Sequence, residues 1–418
     1  MITLVEAKNY RCLRYVRQSL GGFHVLVGPN ASGKTTFLDV IELLGDIVSD
    51  GAEAALAERT PTFDDLLHKG EGKCIELAVE ATIPEDRRKL LAEKYTTIRY
   101  EIQIGKLAGG SQIGILEERV LLKPQDKATL RTWTLFPENV LPPDTIMTGK
   151  GHPGQRTVLS KSENGNDNFY SEVEERAGKG WYPSIRLGPL KSALANLHED
   201  ETRFPVSAWF KRMVGEGVQT FILNSLMLRR SSPPGQARGF KTDGSNLPWV
   251  LDDLRKANPA RYQEWLSHVQ TALPDIEDVS VRELPDIRHR YLHIRYKGGY
   301  EVPSWMVSDG TLRLLALTLP AYLVDFRGVY LIEEPENGIH PSAVETVYQS
   351  LSSAYDAQVL IATHSTVILS MAGKEQVLCF KKTDEGSTDI VSGSDHPALR
   401  DWKGQPNLSV LFAAGVLG

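Results

Sequence analysis

Three glutamates follow an apolar run in VYLIEEPENGIHP, Val329 to Pro341: Glu333, Glu334 and Glu336. Carboxylates placed this way can hold a hydrated divalent cation, orient a water molecule, or simply wet the turn after a strand. The stretch FHVLVGPNASGKTTFLDVIELL, far upstream, favours the chemical readings. Its Gly28, Gly33, Lys34 and Thr35 fit G-x-x-x-x-G-K-[ST]. Such a loop wraps backbone amides around a polyphosphate at the positive end of a helix. Lys34 would neutralise β- and γ-phosphate oxygens and Thr35 would ligate magnesium, with Asn30, Ser32, Gly33 and Thr36 completing the cradle. Phosphoryl transfer is mostly positioning and charge stabilisation, so the site still needs an acid for the metal shell and a group that orients water. We assign Glu333 to the metal and Glu334 to the water. ATP and Mg2+ are the cofactors this constellation asks for.

Two further stretches carry candidates. In AQVLIATHSTVILS, a strand over Val359 to Ala362 is followed by Thr363, His364 and Ser365. A lone histidine after a strand is usually a satisfied turn residue, but alongside the other motifs His364 becomes a candidate for the γ-phosphate. In WMVSDGTLRLLALTL, Ser308, Asp309 and Gly310 precede a helix striped by Leu312, Leu315 and Leu319. Ser308 there is a helix cap and also part of an anion site, which can be aimed at a phosphate held by a second subunit.

The elements that must position these residues can be read from periodicity. Phe23, Val25 and Val27 alternate as a strand before Gly28, and Phe37, Ile41, Leu44 and Ile47 recur at helical spacing after Lys34. A strand over Val329 to Ile332 lying parallel to the first would bring its carboxyl end beside Gly33 to Thr35, where ligands collect in open α/β sheets.

With these stretches in place, the chain resembles the ATPase heads of the ABC superclass, in the chromosome-maintenance, recombination and repair branch. NYRCLRYVRQSL with HVLVGPNASGKTT resembles that branch's opening strand and Walker A motif. SDGTLRLLAL resembles its signature, VYLIEEPENGIHP its Walker B motif and D-loop, and LIATHS its switch histidine. Within the branch the chain is most similar to the overcoming-lysogenisation-defect-like (OLD-like) ATPases of bacterial anti-phage and mobile-element systems.

The resemblance implies an α/β fold: a P-loop ATPase head built from both chain ends. It implies a homodimer or higher homo-oligomer in which Lys34 and Glu334 of one subunit face Ser308 and Gly310 of the other across ATP, with Arg11 approaching the nucleotide. It also implies an ATPase that senses or clamps a target to gate a separate effector protein, a nuclease or toxin, in anti-phage defence or DNA repair. Two departures stand out. Glu333 replaces the aspartate of many relatives, and no glutamine marks a Q-loop, Asp64 and Asp65 standing near its place.

Other readings are a nucleotide-dependent scaffold with negligible turnover, a GTP-binding switch and a transporter motor. VLCFKKTDEG offers Lys382 and Asp384 to the GTP reading, but Lys381 stands where asparagine or threonine is wanted. The long gap between Walker A and signature speaks against the motor.

That gap holds no sustained heptads, so a mixed and helical insertion is expected instead of a long coiled coil. CIELAVEATI, IRYEIQIG and GILEERVLL alternate like strands, Arg131 to Asn168 reads as irregular, and SAWFKRMVGEGVQTFILNSLML and LPWVLDDLRKANPARYQEWLSHVQTAL read as helical. The expected domains are an N-terminal lobe over 1–130, an insertion over 131–274 and a C-terminal lobe over 275–418. The stretch after His364 is short for a fused nuclease domain, so effector activity is expected on another polypeptide.

A composition of 41% apolar and 24% charged residues is globular, and a net charge of -6 gives no overall pull toward nucleic acid or anionic membrane. Contact with DNA or other nucleic acid would need a local patch such as RHRYLHIRYK, whose His289, Tyr291, His293, Arg295 and Lys297 share one face of a strand. A solvated strand face is the commoner explanation of that alternation. Cys12, Cys74 and Cys379 lack any disulfide or zinc spacing, and no apolar run is long enough for a membrane span, so a cytoplasmic protein with no membrane contact is expected.

Overall fold

A computed structural model describes residues 1–91, 95–108, 110, 112–125, 135–149, 154–173, 185–236, 239–324, 328–354, 356–400 and 407–417. Its described strands are β1 (Ile2–Tyr10), β2 (Leu13–Ser19), β3 (Phe23–Val27), β4 (Cys74–Thr82), β5 (Thr97–Lys106), β6 (Ile113–Lys123), β7 (Arg156–Ser162), β8 (Asn168–Phe169), β9 (Val218–Phe221), β10 (Ile276–Glu283), β11 (Arg290–Tyr296), β12 (Glu301–Pro303), β13 (Val329–Glu333), β14 (Gln358–Ala362), β15 (Val377–Lys382) and β16 (Thr388–Ser392). They form three sheets.

A six-stranded sheet in the order β16-β15-β3-β14-β13-β9 carries the motifs. All its neighbours run parallel except the β15–β16 pair. Parallel strands are covered on both faces and so read as unbroken apolar runs, as Val329 to Ile332 does. Here the two faces feed two separate cores. Leu26, Leu331, Leu360 and Phe380 point into one, while Val25, Val27, Ile332, Ile361 and Cys379 point into the other, because successive strand residues alternate sides.

The first core is closed by helix Lys34–Ser49 and by a seven-stranded antiparallel sheet in the order β2-β1-β4-β5-β6-β7-β8. That sheet buries Val5, Leu77, Tyr100 and Ile102 on its core side. On its other side lies an ionic cluster. Arg99 donates to Glu101 (2.7 Å), Glu6 (2.9 Å) and Glu80 (3.1 Å), and Lys123 donates to Glu80 (2.7 Å). The segment 144–148 seals the cluster, with Ile146 N donating to Glu76 and Thr148 N to Glu101, both at 2.7 Å. Buried charges persist when each is paired in this way. The second core lies under helices Leu247–Ala257, Pro259–Ala272, Asp309–Thr318, Pro341–Ser352 and Thr366–Met371, with the small sheet β10-β11-β12 beside it.

The three stretches expected as strands after Leu66 are β4, β5 and β6. Two expectations for the middle need correction. Part of the stretch expected to be irregular is β7, which extends the seven-stranded sheet; residues 131–134 and 150–153 lie outside the described residues. SAWFKRMVGEGVQTFILNSLML is not continuously helical. Helix Pro205–Gly215 ends before Gly217, and Val218–Phe221 pairs with β13 as the sheet's edge strand. Tertiary pairing overrides helical patterning at this place.

Candidate nucleotide site

The phosphate loop leaves β3 at Gly28 and enters helix Lys34–Ser49 at Gly33, in the order strand, loop, helix. Both glycines are required sterically. A Cβ on Gly28 would stand 2.2 Å from the carbonyl oxygen of Phe380, and one on Gly33, whose φ is 104°, would stand 2.4 Å from Thr388 Oγ1. Lys34 is buried and its Nζ donates to the carbonyls of Gly28 (2.8 Å) and Pro29 (3.0 Å). Burial pulls its ammonium below the usual lysine range, and Glu334 and Glu333 pull it back up.

Around the loop is a cavity of about 560 Å³. Arg11, Cys12, Asn30, Ala31, Ser32, Gly33, Lys34, Thr35, Thr36, Glu333, Glu334, Ala362, His364 and Lys382 line it. Parallel registration explains how residues so distant in sequence meet. β14 lies between β3 and β13, so all three carboxyl ends open at one edge of the sheet. Thr35 Oγ1 donates to Glu333 Oε2 at 2.9 Å across that edge. Glu334 takes a left-handed backbone, φ 45°, and its N–H donates to the Ala362 carbonyl at 2.7 Å; the Asn337 amide donates to its carboxylate. The backbone turn lets two adjacent glutamates both face the cavity instead of opposite sides.

His364 follows β14. Its backbone N–H (3.1 Å) and the Thr363 hydroxyl (2.5 Å) both donate to Glu336 Oε1, so the third glutamate of the motif anchors the histidine's loop. Burial, then the Lys34 charge, pull the His364 imidazole below its ordinary value, against Glu334 and Glu336. Its ring also meets Phe412 at a centroid distance of 6.5 Å.

Arg11, with φ 50°, reaches the cavity from the turn between β1 and β2. Its guanidinium pairs with Asp39 (2.9 Å), which also accepts from Arg59 Nε (2.6 Å) and Tyr10 (2.5 Å). Asp39 sits on the helix that starts at Lys34, so the phosphate loop and Arg11 share one anchor. Asp64 and Asp65 do not line the cavity. Asp64 pairs with Lys106 at 2.7 Å and Asp65 accepts from Thr60 at 2.9 Å. Their loop touches the site through the backbone, Arg11 N donating to the Leu66 carbonyl at 2.7 Å.

Ser308 and Gly310 are not part of the cavity lining. Ser308 is exposed and caps helix Asp309–Thr318, accepting from Thr311 N at 3.2 Å, and Gly310 packs so closely on the Gly338 carbonyl that a Cβ would lie 2.5 Å from it. The candidates for one chemistry therefore fall on two surfaces: ten with the phosphate loop, two on the signature helix. Sequence reasoning missed Cys12 and Lys382. Cys12 had no signal, whereas Lys382 stood in a stretch noted for the GTP reading; Asp384, which that reading also needs, does not line the cavity.

On β11 two arginines have acidic partners. Arg295 pairs with Glu277 (2.9 Å), while Arg290 pairs with Asp252 (2.7 Å) and lies 3.8 Å from the Trp249 ring centre. Arg295 shares its face with Tyr291 and His293, and Arg290 lies on the other face, so one arginine on each side is neutralised.

Residues 1–139 match the family described as "AAA ATPase domain", and residues 223–370 match the family described as "AAA domain, putative AbiEii toxin, Type IV TA system". Both ends of the chain are thus similar to AAA-type ATPase domains. Over 48 residues the chain is 46% identical to the OLD nuclease of Thermus scotoductus, covering 11% of this chain and 9% of that protein; the chain thus matches only a small part of that relative. Among solved structures, an Smc head bound to the C-winged helix domain of ScpA superposes with a TM-score of 0.54 at 14% identity, covering 93% of this chain and 96% of that one. An Smc head with an extended coiled coil, bound to the C-terminal domain of ScpA from Pyrococcus furiosus, gives 0.50 at 13% identity, covering 93% and 95%. At such identities the likeness is one of fold. No helix among the described residues is long and apolar enough to cross a membrane.

Proposed function

We propose that the protein binds and hydrolyses ATP in this cavity, and that two copies close head to head on nucleotide to gate a separately encoded nuclease or toxin, in anti-phage defence or DNA repair. The observation that carries the catalytic part is the meeting of Lys34, Thr35, Glu333, Glu334 and His364 in one cavity at the open edge of the parallel sheet. In this reading Lys34 exchanges its two carbonyl partners for phosphate oxygens. Glu334, positioned by Asn337 and by the Ala362 carbonyl, orients the attacking water and accepts its proton. His364, at the end of β14, contacts the γ-phosphate, and Arg11 approaches the nucleotide from the β1–β2 turn.

The residues fit a magnesium ion. Thr35 Oγ1 and the Glu333 carboxylate are hard oxygen donors already in contact, suited to an ion that keeps several waters. When bound, the ion would supply neutralisation of charge on the phosphates.

Dimerisation rests on Ser308 and Gly310 being displayed away from their own subunit's phosphate loop, so that they are free to face a second copy's nucleotide. The test is the mass of wild-type protein, Glu334→Gln and Lys34→Ala in solution, with and without ATP and magnesium, with a record of what co-purifies from the native host. The reading expects an ATP-dependent rise to a dimer in Glu334→Gln and none in Lys34→Ala. A mass indifferent to nucleotide in both would sink the dimer, and a dimer with no turnover under any condition would favour a scaffold.

A further inference from the structure

The β15–β16 hairpin has no role in the mechanism above, yet it packs closely on the phosphate loop. Phe380 presents its carbonyl to Gly28, Thr388 Oγ1 donates to the Ser32 carbonyl at 2.8 Å, and Thr388 N donates to the Cys12 carbonyl at 2.9 Å. The hairpin's own turn is closed by Thr383 N donating to the Ser387 carbonyl and Gly386 N to the Thr383 carbonyl, both at 2.8 Å. An ion pair between Arg14 and Glu385, 2.7 Å, ties the turn to β2. Docked this way, the last residue of β15 is held beside the loop, and that residue is Lys382.

Lys382 lines the nucleotide cavity, is exposed, and its side-chain ammonium has no hydrogen-bond or ion-pair partner among the described residues. A cation carried by a docked hairpin into a phosphate-loop cavity, with no acidic partner among the described residues, is placed to meet an anionic ligand. Its place in the sheet says which end of that ligand it meets. Glu333, Glu334 and His364 leave β13 and β14, on one side of β3, whereas Lys382 leaves β15 on the other side. Thr35 faces the acidic end through Glu333, and Thr36 faces the other through Cys12, whose Sγ lies 3.4 Å from its hydroxyl. If the γ-phosphate occupies the acidic end, the phosphates nearer the nucleoside fall at the end holding Lys382.

We infer that Lys382, presented by the β15–β16 hairpin, binds the diphosphate portion of the nucleotide and so grips ATP and ADP alike. The inference rests on the nucleotide-site reading proposed above. Lys381, on the opposite face of the strand, takes no part.

The experiment measures displacement of a fluorescent ATP analogue by ATP and by ADP from the full chain, for wild type, Lys382→Ala, Lys382→Glu, Lys382→Arg, Lys381→Ala and Lys34→Ala, with each variant's melting temperature. Lys382→Ala should weaken both nucleotides by a similar factor of about tenfold, the size of a lost hydrogen bond to a charged group. Lys382→Glu should weaken them further, Lys382→Arg should recover most of the affinity, and Lys381→Ala should match wild type, with melting temperatures unchanged. Unaltered affinity in Lys382→Glu while Lys34→Ala abolishes binding overturns the inference and leaves the nucleotide site standing. Weakened ATP with unaltered ADP overturns the diphosphate assignment, placing Lys382 at the γ-phosphate. Normal ATP binding by Lys34→Ala brings down the site itself and this inference with it.

Discussion

Glu333 and Glu334 are adjacent and chemically alike, yet the fold gives them different partners. Glu333 accepts from Thr35, and Glu334, turned by its left-handed backbone, accepts from Asn337. Their substitutions should therefore differ. Glu334→Gln keeps the shape and removes the proposed base, so phosphate release should fall by about 10²- to 10⁴-fold while ATP still binds. Glu333→Gln should weaken magnesium binding first, seen as a higher magnesium requirement for ATP binding. The pH profile reports on His364. Its pKa lies below the ordinary histidine value because of burial and the Lys34 charge, so the ring gains a proton only on acidification. Turnover should hold through neutral pH and decline on acidification, as the ring gains its proton. An acidic limb that begins above pH 7 and disappears in His364→Ala would contradict a neutral imidazole.

At the scale of elements, close approach decides which positions tolerate change. Gly28→Ala would drive a Cβ against the Phe380 carbonyl, so it should lower the melting temperature as well as nucleotide affinity, and calorimetry of the nucleotide-free protein separates the two effects. Glu172 performs a different task. Its two carboxylate oxygens accept from Val206 N (2.7 Å) and Ser207 N (2.8 Å), the free amides opening helix Pro205–Gly215, which packs on helix Lys34–Ser49. Burial pushes its pKa up to about 7, against the pull of Ser207, Val206 and Arg156.

An acid whose folded pKa is raised keeps a proton that the unfolded chain releases near pH 4.5. Its contribution is thus full below that value and is lost as pH rises through about 7, a difference of about 3 kcal/mol. Glu172→Gln should flatten this slope of stability between pH 5 and 8 while lowering stability overall, because an amide NH2 would oppose a backbone donor. Denaturant midpoints across that range measure both. The helix itself could be read from its spacing, but its end could not. Val218 to Phe221 continue an amphipathic pattern, and only the free edge of β13 makes them a strand.

Across the whole molecule, the parallel sheet divides two cores and gathers one cavity at one edge, while the signature helix displays Ser308 elsewhere. If sites form between subunits, Lys34→Ala and Ser308→Arg should each be inactive alone. Mixed in equal amounts they should recover roughly a quarter of wild-type turnover, since half the dimers would hold one intact site. No recovery after subunit exchange, demonstrated by mass, would argue for sites complete within one chain.

The strand-loop-helix around Gly33 and Lys34, the acids behind β13, the cap at Ser308 and the apolar strands were all legible in the residue order. Each of these rests on local chemistry: positive φ, helix-end amides, and the period of side-chain burial. Folding in three dimensions was needed to bring Lys382 into the cavity while Asp384 stays out, to link Arg11 through Asp39 to the phosphate-loop helix, to anchor the His364 loop on Glu336, and to pair the arginines of β11. Those outcomes depend on strand order and on which distant side chain arrives opposite. Side chains far apart in the chain meet only when sheet order and register have been set by the burial of both cores, and no local pattern carries that information.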